Sequence, residues 1–555
     1  MGLSRRLELT RVIENVKKHE NSKIFFGIIL SIVFLLQVVN FTKTALILQN
    51  YLPASDYFSL LERYISYTQN EISLASLIFS KQADHNHVFT FLIGYLDLRY
   101  FSGSMILFNI GILISVAVVL IFAIHTAFKL DENVIHLRSF FFTIFVIAQL
   151  FTPYGFELWQ FPFQFVQVST RMFVLLGTFL YIKGLMEFKK SAYRTGYIFL
   201  TIATVSHGSG NLVPFFQLAF VTVIYYKLRP QRFLMKLVPI FVNFLIILIL
   251  NIGFPPQTQP FKMFSSIQLS QWLSLPIITL RLLGQSVFWD LNSSIAVAVG
   301  ILAVCILFAS LFAMYRSSQI DLISLTFAGS GLFFLVCLAN SVIVNFYYQQ
   351  SRGVLSPTDS YFWASRYQSI TSGFWISAAF LLYRKICSDL TLLESVVPKI
   401  LTVVEILSVY TSQNHALLQN VRSQNRTNTI AARFIAETPN LADVPNEFLT
   451  TTFFLPVAWG DQLRKDLEFM KRQSLGFWSL PLEIDPSANI LDLTDENWLN
   501  GKSRSDLVFL YLNTKSNLKV LQKGLMFQFQ GINYVIETTS QFGIYLHVRA
   551  NLSVK

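Results

Sequence analysis

Four consecutive residues, Asp84-His85-Asn86-His87, place one carboxylate and two imidazoles in a chain that is otherwise strongly apolar. A carboxylate beside imidazoles can take a proton from a hydroxyl. An apolar run follows, and Asp97 and Arg99 close it. The same residues have a structural reading: Asp ahead of an apolar run caps a helix, and Asp97 and Arg99 pair with neighbours to end one. Metal ligation is the lesser reading. An extended segment would turn His85 and His87 the same way, whereas a helix would splay them about 200° apart. A divalent cation is therefore allowed and not demanded.

Other polar residues gather in a few stretches. Glu157 lies in "FTPYGFELWQFPFQ" with Arg171 shortly after it, and His207 and Asn211 lie in "SHGSGN". Arg352, Asp359 and Arg366 lie in "SRGVLSPTDSYFWASRYQ". Two arginines in one loop suit a phosphate, which a planar guanidinium grips with two donors. "SHGSG" has the look of an oxyanion loop. Without a Gly-x-Ser-x-Gly nucleophile elbow it reads as a tight turn.

The elements that must position these groups are set by the rest of the composition. Of 555 residues 53% are hydrophobic and 13% charged, against roughly 25% charged in a soluble domain. Apolar runs of about 18 residues or more recur, each long enough to cross a bilayer as a helix. The class is an all-α polytopic membrane protein with about ten to eleven transmembrane helices. The net charge of +12 comes from short basic clusters between apolar runs, which are topology signals rather than a nucleic-acid surface. Cys305, Cys337 and Cys387 lie in or at the end of apolar runs and fit neither a disulfide framework nor a metal motif.

Residues 1–23 read as a cytoplasmic leader with no signal-peptide cleavage site, and 24–412 as the multi-span domain. Its first span is Ile24 to Leu46, with the N-terminus cytoplasmic because Arg and Lys precede it. Gln49 to Ser80 reads as an amphipathic helix on the outer surface. Later spans are expected at Ser104–Phe128, Ser139–Leu150, Phe163–Met186, on either side of "SHGSGN", up to Phe254, and at Ser293–Tyr315 and Leu322–Val344. A tenth ends at "YRKIC", and Val396–Tyr410 is a weaker eleventh. "SQWLSLPIITLRLLGQSVFWD" reads as a second interfacial helix. Residues 413–555 are more polar, with strand-like alternation in "DLVFLYLN", "GLMFQFQ", "NYVIETT" and "GIYLHVRA". They form a small soluble α+β or β domain, expected outside the membrane if the eleventh span is real.

In this topology the polar stretches share the outer face. The chain, over roughly Ile24 to Cys387, resembles the C-type (GT-C) superfamily of integral membrane glycosyltransferases and related bacterial multi-span proteins. The stretches "DHNHVFTFLIGYLDLRYFSG", "FTPYGFELWQFPFQ", "SHGSGN" and "SRGVLSPTDSYFWASRYQ" carry that resemblance. It implies transfer of a sugar from a polyprenyl-phosphate donor to a glycan, lipid or protein acceptor at the cytoplasmic membrane. It also implies a base in the first outer loop, which maps best onto Asp84, with His85 and His87 beside it. Arg366, Arg352 and Arg99 are the matching candidates for the donor phosphate, and Glu157, Arg171, His207 and Asn211 for the cavity walls. Many members carry adjacent acids where Asp84 is followed by His, so Asp97, Glu62 and Glu71 stand as reserves for the base. Only some members use a divalent metal. Two other classes compete: a transporter or flippase of lipid-linked or polar solutes, and a glycan polymerase or acyltransferase.

Overall fold

A computed structural model describes residues 39, 52–53, 56–82, 86–130, 137–152, 155–207, 211–228, 233–254, 269–287, 293–316, 322–351, 367–388, 432, 435, 441–444, 446–453, 455, 457–478, 503–504, 507–511, 526–529, 532–539 and 545–550. Asp84, His85, Arg352 and Arg366, the eleventh span and all of the first except residue 39 lie outside them.

Three short helices come first: α1 (Tyr57–Thr68), α2 (Leu74–Phe79) and α3 (Val88–Tyr100). The single amphipathic helix expected over 49–80 is therefore two. Asn70 sits at φ +60°, which ends α1, and Ser73 restarts the chain by accepting the Ser76 amide in an N-cap. The apolar runs then form α4 (Ile106–Leu130), α5 (Leu137–Phe151), the one-turn α6 (Phe156–Gln160) and α7 (Phe165–Met186). They continue as α8 (Lys190–Ser206), α9 (Val213–Leu228), α10 (Phe233–Gly253), α11 (Leu269–Gln285), α12 (Ser293–Arg316), α13 (Leu322–Ser351) and α14 (Gln368–Ser388).

Four stretches among the described residues are long and apolar enough to cross a membrane: Ile106–Ala127, Pro162–Met186, Ser294–Met314 and Leu322–Val344. Shorter apolar helices occupy Phe142–Phe151, Val213–Val223 and Leu237–Gly253. This is a helical membrane protein. In the apolar 18-residue stretch of Pro162–Met186 78% is buried, against 28% in that of Ser294–Met314, so α7 is the hub and α12 lies at the rim. Around that rim Ile110, Ile121, Phe241, Ile252 and Phe308 are exposed, an apolar surface suited to lipid. The only ion pair among the described residues, Lys189–Glu187, lies in the short link between α7 and α8.

That link folds α7 and α8 into a tight antiparallel hairpin. A Cβ on Gly184 would stand 2.3 Å from the Tyr193 nitrogen, and one on Gly196 would stand 2.2 Å from that of Tyr181. Only glycine lets the two backbones approach so closely. The hairpin brings the end of α8 back beside the start of α7, and α14 begins at the same end. Pro162 opens a 3₁₀ turn, Pro162–Gln164, that leads into α7 where a missing N–H costs nothing.

The described residues between 441 and 478 pack onto α1. They contain α15 (Asn446–Thr452) and α16 (Gly460–Gln473) and share an apolar core with the bundle. Phe453 meets Phe58 edge to face at 5.4 Å, and the Gly476 amide donates to the Ser102 carbonyl at 2.5 Å. Further on, β1 (Ser503–Arg504), β2 (Leu507–Tyr511), β3 (Met526–Phe529), β4 (Ile532–Thr539) and β5 (Tyr545–Ala550) form an antiparallel sheet. Its order is β1-β2-β5-β4-β3, with an irregularity in β4 between Ile536 and Thr538.

Candidate functional site

Helix α3 has two ends, and the polar residues of the opening motif divide between them. His87 occupies the N-cap position of α3 and is buried. Aromatic packing fixes it: its ring lies 5.8 Å from Phe91 and 5.8 Å from Phe163, the residue inside the turn before α7. Phe89 packs on Phe165 and Phe173 and presses the same helix onto α7. Across from His87, 6.1 Å away, stands the ring of His207, the extended residue that ends α8. The α7–α8 hairpin delivers His207 there. The Asn86 side-chain amide donates to the Asn211 oxygen at 3.3 Å, tying the residues after Asp84 and His85 to the far side of the "SHGSGN" turn.

His87 and His207 border a cavity of about 150 Å³. Gln164 and Gln167 line it from the start of α7, Ser341 and Val344 from α13, and Tyr367 from the residue before α14. Asp56 and the apolar Phe163 and Val166 complete the lining. Asp56 sits at the N-cap of α1, but its carboxylate does not cap; only its backbone carbonyl is used, by the Ser59 amide. It is half-buried and makes no side-chain hydrogen bond or ion pair among the described residues. The cavity thus holds one unengaged carboxylate, two imidazoles and two amides. No group of three or more His, Cys, Asp or Glu able to hold a metal occurs among the described residues.

At the other end of α3, Asp97 has a full set of partners. Its carboxylate accepts the amides of Met105 at 3.0 Å and Leu107 at 3.1 Å, capping α4. Its backbone oxygen accepts the amides of Phe101 and Gly103. These bonds hold a turn in which Ser102, Gly103 and Met105 all have positive φ, a conformation non-glycine residues adopt at a cost. Burial pushes the Asp97 carboxyl up to about 6 despite the two amides that favour its charge. Arg99 is exposed on the last turn of the helix, beside Tyr64. Neither residue lines the cavity.

Glu157 is buried in α6. Arg171 lies below the cavity in the interior of α7, 2% exposed, with its Nη1 donating to the Ser372 hydroxyl at 2.5 Å. With Gln167 and His207 it borders a small void of about 10 Å³. Gln164, Gln167 and Arg171 are spaced three and four apart, which puts them on one face of α7.

The structure therefore brings together His87, His207 and Asn211, places Arg171 beneath them, and separates Asp97 and Arg99 from them. Sequence reading passed over Asp56, Gln164, Gln167 and Tyr367. Asp56 was hidden as one more polar residue within the amphipathic helix expected over 49–80, and the two glutamines by an otherwise apolar span. The spacing of Gln164, Gln167 and Arg171 was a readable signal. Set against protein-family models, curated proteins and solved structures, the chain matches none of them.

Proposed function

We propose that this protein is a membrane glycosyltransferase that moves a sugar from a polyprenyl-phosphate donor to a glycan, lipid or protein acceptor. In this reading it has ten to eleven spans, its N-terminus is cytoplasmic, and the cavity opens on the outer face of the cytoplasmic membrane. One observation carries the reading: Asp56, His87, His207, Gln164 and Gln167 meet in a cavity at the head of an apolar helical bundle. Chemistry on a polar group tethered to a lipid needs polar residues at that position.

Asp56 takes the proton from the acceptor hydroxyl as its oxygen attacks the anomeric carbon. The new C–O bond forms as the bond to the phosphate oxygen breaks, and polyprenyl phosphate leaves with the electron pair. His87 and His207 bind and orient sugar hydroxyls. Cationic groups stabilise the departing phosphate; Arg352 and Arg366 keep that assignment, supported by Tyr367, next to Arg366 in sequence, at the cavity wall. Asp84 remains the alternative base, supported by His87, three residues on, in the same cavity.

The test is transfer from radiolabelled polyprenyl-phosphate sugars into a membrane extract, with Asp56→Asn and Asp84→Asn compared with wild type. Collapse in one variant alone identifies the base. Full transfer by both removes both from the role, and no transfer with any donor by folded wild type removes the function. The transporter reading draws on one observation, the buried polar pair Arg171–Ser372 inside the bundle. Solute flux in proteoliposomes without sugar transfer would favour it.

A further inference from the structure

Arg171 lies nine residues into the span that begins at Pro162, about 13 Å along the helix from its start. It is 2% exposed, its Nε has no hydrogen-bond acceptor, and Ser372 is its one side-chain partner among the described residues. No carboxylate there pairs with it. A guanidinium keeps its charge, and a charge buried in an apolar bundle is costly unless something of opposite sign stands near it. Around the void that Arg171 borders, the described protein supplies hydroxyl and amide groups but no anion; the carboxylate of Asp56 lines the adjoining cavity and not this void.

The position of the side chain says where an anion would come from. Helical side chains lean toward the N-terminus of their helix, so Arg171 extends from its own Cα toward Gln167 and the cavity. The void it borders, about 10 Å³, holds at most about one water. An anion therefore sits above it, in the adjoining cavity of about 150 Å³, where Gln167 and His207 line both spaces. Behind the guanidinium the walls are apolar: Phe333, Phe334, Cys337 and Ile370.

We infer that the cavity binds a phosphoryl group, held from beneath by Arg171 with Gln167 and His207 at its sides. This rests on the cavity being the ligand site of the proposed function, though not on sugar transfer taking place there. It adds to the loop arginines a cation that reaches the phosphate from within the bundle.

Binding of decaprenyl phosphate, decaprenol and inorganic phosphate to the full-length protein in detergent tests it. Decaprenyl phosphate is expected to bind roughly ten- to a hundredfold more tightly than decaprenol, the range of a charge-assisted hydrogen bond or two. Arg171→Met is expected to erase that preference and Arg171→Lys to keep part of it, since the charge survives without the fork. Should Arg171→Met fail to fold, Gln167→Leu decides, with a severalfold loss of the preference expected. Inorganic phosphate that binds in an Arg171-dependent way while the lipid does not would support the seat and identify its ligand as free phosphate. Equal binding of phosphate and alcohol by wild type, or an unchanged preference in the variants, overturns the inference. Phosphate-dependent binding without sugar transfer leaves the seat and removes the glycosyltransferase. Sugar transfer with a donor KM unmoved in Arg171→Lys and Gln167→Leu keeps the enzyme and removes the seat.

Discussion

The two ends of α3 carry similar residues to opposite uses. At its C-terminal end Asp97 is buried and takes part in four hydrogen bonds to backbone amides, two through its carboxylate and two through its carbonyl. At its N-terminal end His87 faces a cavity, with the carboxylate of Asp56 on the same lining making no bond among the described residues. The first end is closed by the protein's own backbone, and the second borders a space where the Asp56 carboxylate is left for something else. Having each carboxylate oxygen bonded to a nearby backbone amide marks a structural acid. Bordering a space without capping a helix marks a group available to a ligand.

Substitutions at the two ends should separate the roles. The largest effect is expected at the cavity: Asp56→Asn lowers the transfer rate roughly 10²- to 10⁴-fold, the range of a lost general base, with little change in thermal unfolding. An unfolding midpoint that drops together with activity would make Asp56 structural and erase the contrast.

The next effect is one of pH, at the surface where residues 441–478 dock beside the Asp97 end. Burial pushes the carboxyl of Asp466 up to about 7, with Glu62 across the α1–α16 contact adding to the rise, and burial also raises Glu62 itself. An unfolded Asp titrates near 3.9, so between about pH 4 and 7 the folded state holds the proton more tightly than the unfolded state. Its stabilisation is complete below about pH 4 and is lost as pH rises toward 7, on the order of 4 kcal/mol in all. Unfolding midpoints measured from pH 4 to 8 should fall along this window, and Asp466→Asn should flatten the curve. A flat wild-type curve would count against a buried acid there.

Asp97→Ala is expected to cost about 2–3 kcal/mol, because it strands two amides and releases a turn with positive φ. Thermal unfolding should register the loss, while the transfer rate per folded molecule stays at the wild-type level. A drop in that rate would carry the site to this end of the helix. The smallest effect is at Asn86→Ala, which removes its bond to Asn211 at about 1 kcal/mol. It should loosen the link between the two motifs and show as a modest rise in the donor KM.

Much of the bundle was legible in the order of residues. The apolar runs 104–128, 163–186, 293–315 and 322–344 match the four stretches suited to crossing a membrane. In lipid each backbone N–H and C=O must find its partner within its own segment, so length and apolarity are enough to specify a helix. The polar stretches were legible as well, and the structure does join "DHNH" to "SHGSGN" through Asn86 and Asn211. Their assignments were not. Asp97 stood as a reserve base until the Met105 and Leu107 amides closed on it, and Asp56 looked like one more polar residue on an amphipathic helix. Arg171 became a buried cation only when α14 placed Ser372 against it, 201 residues further along the chain. Hydropathy is a property of neighbours in sequence and so decides which segments are helices. Whether a polar group is satisfied depends on which helices meet, and only the packing of the bundle decides that.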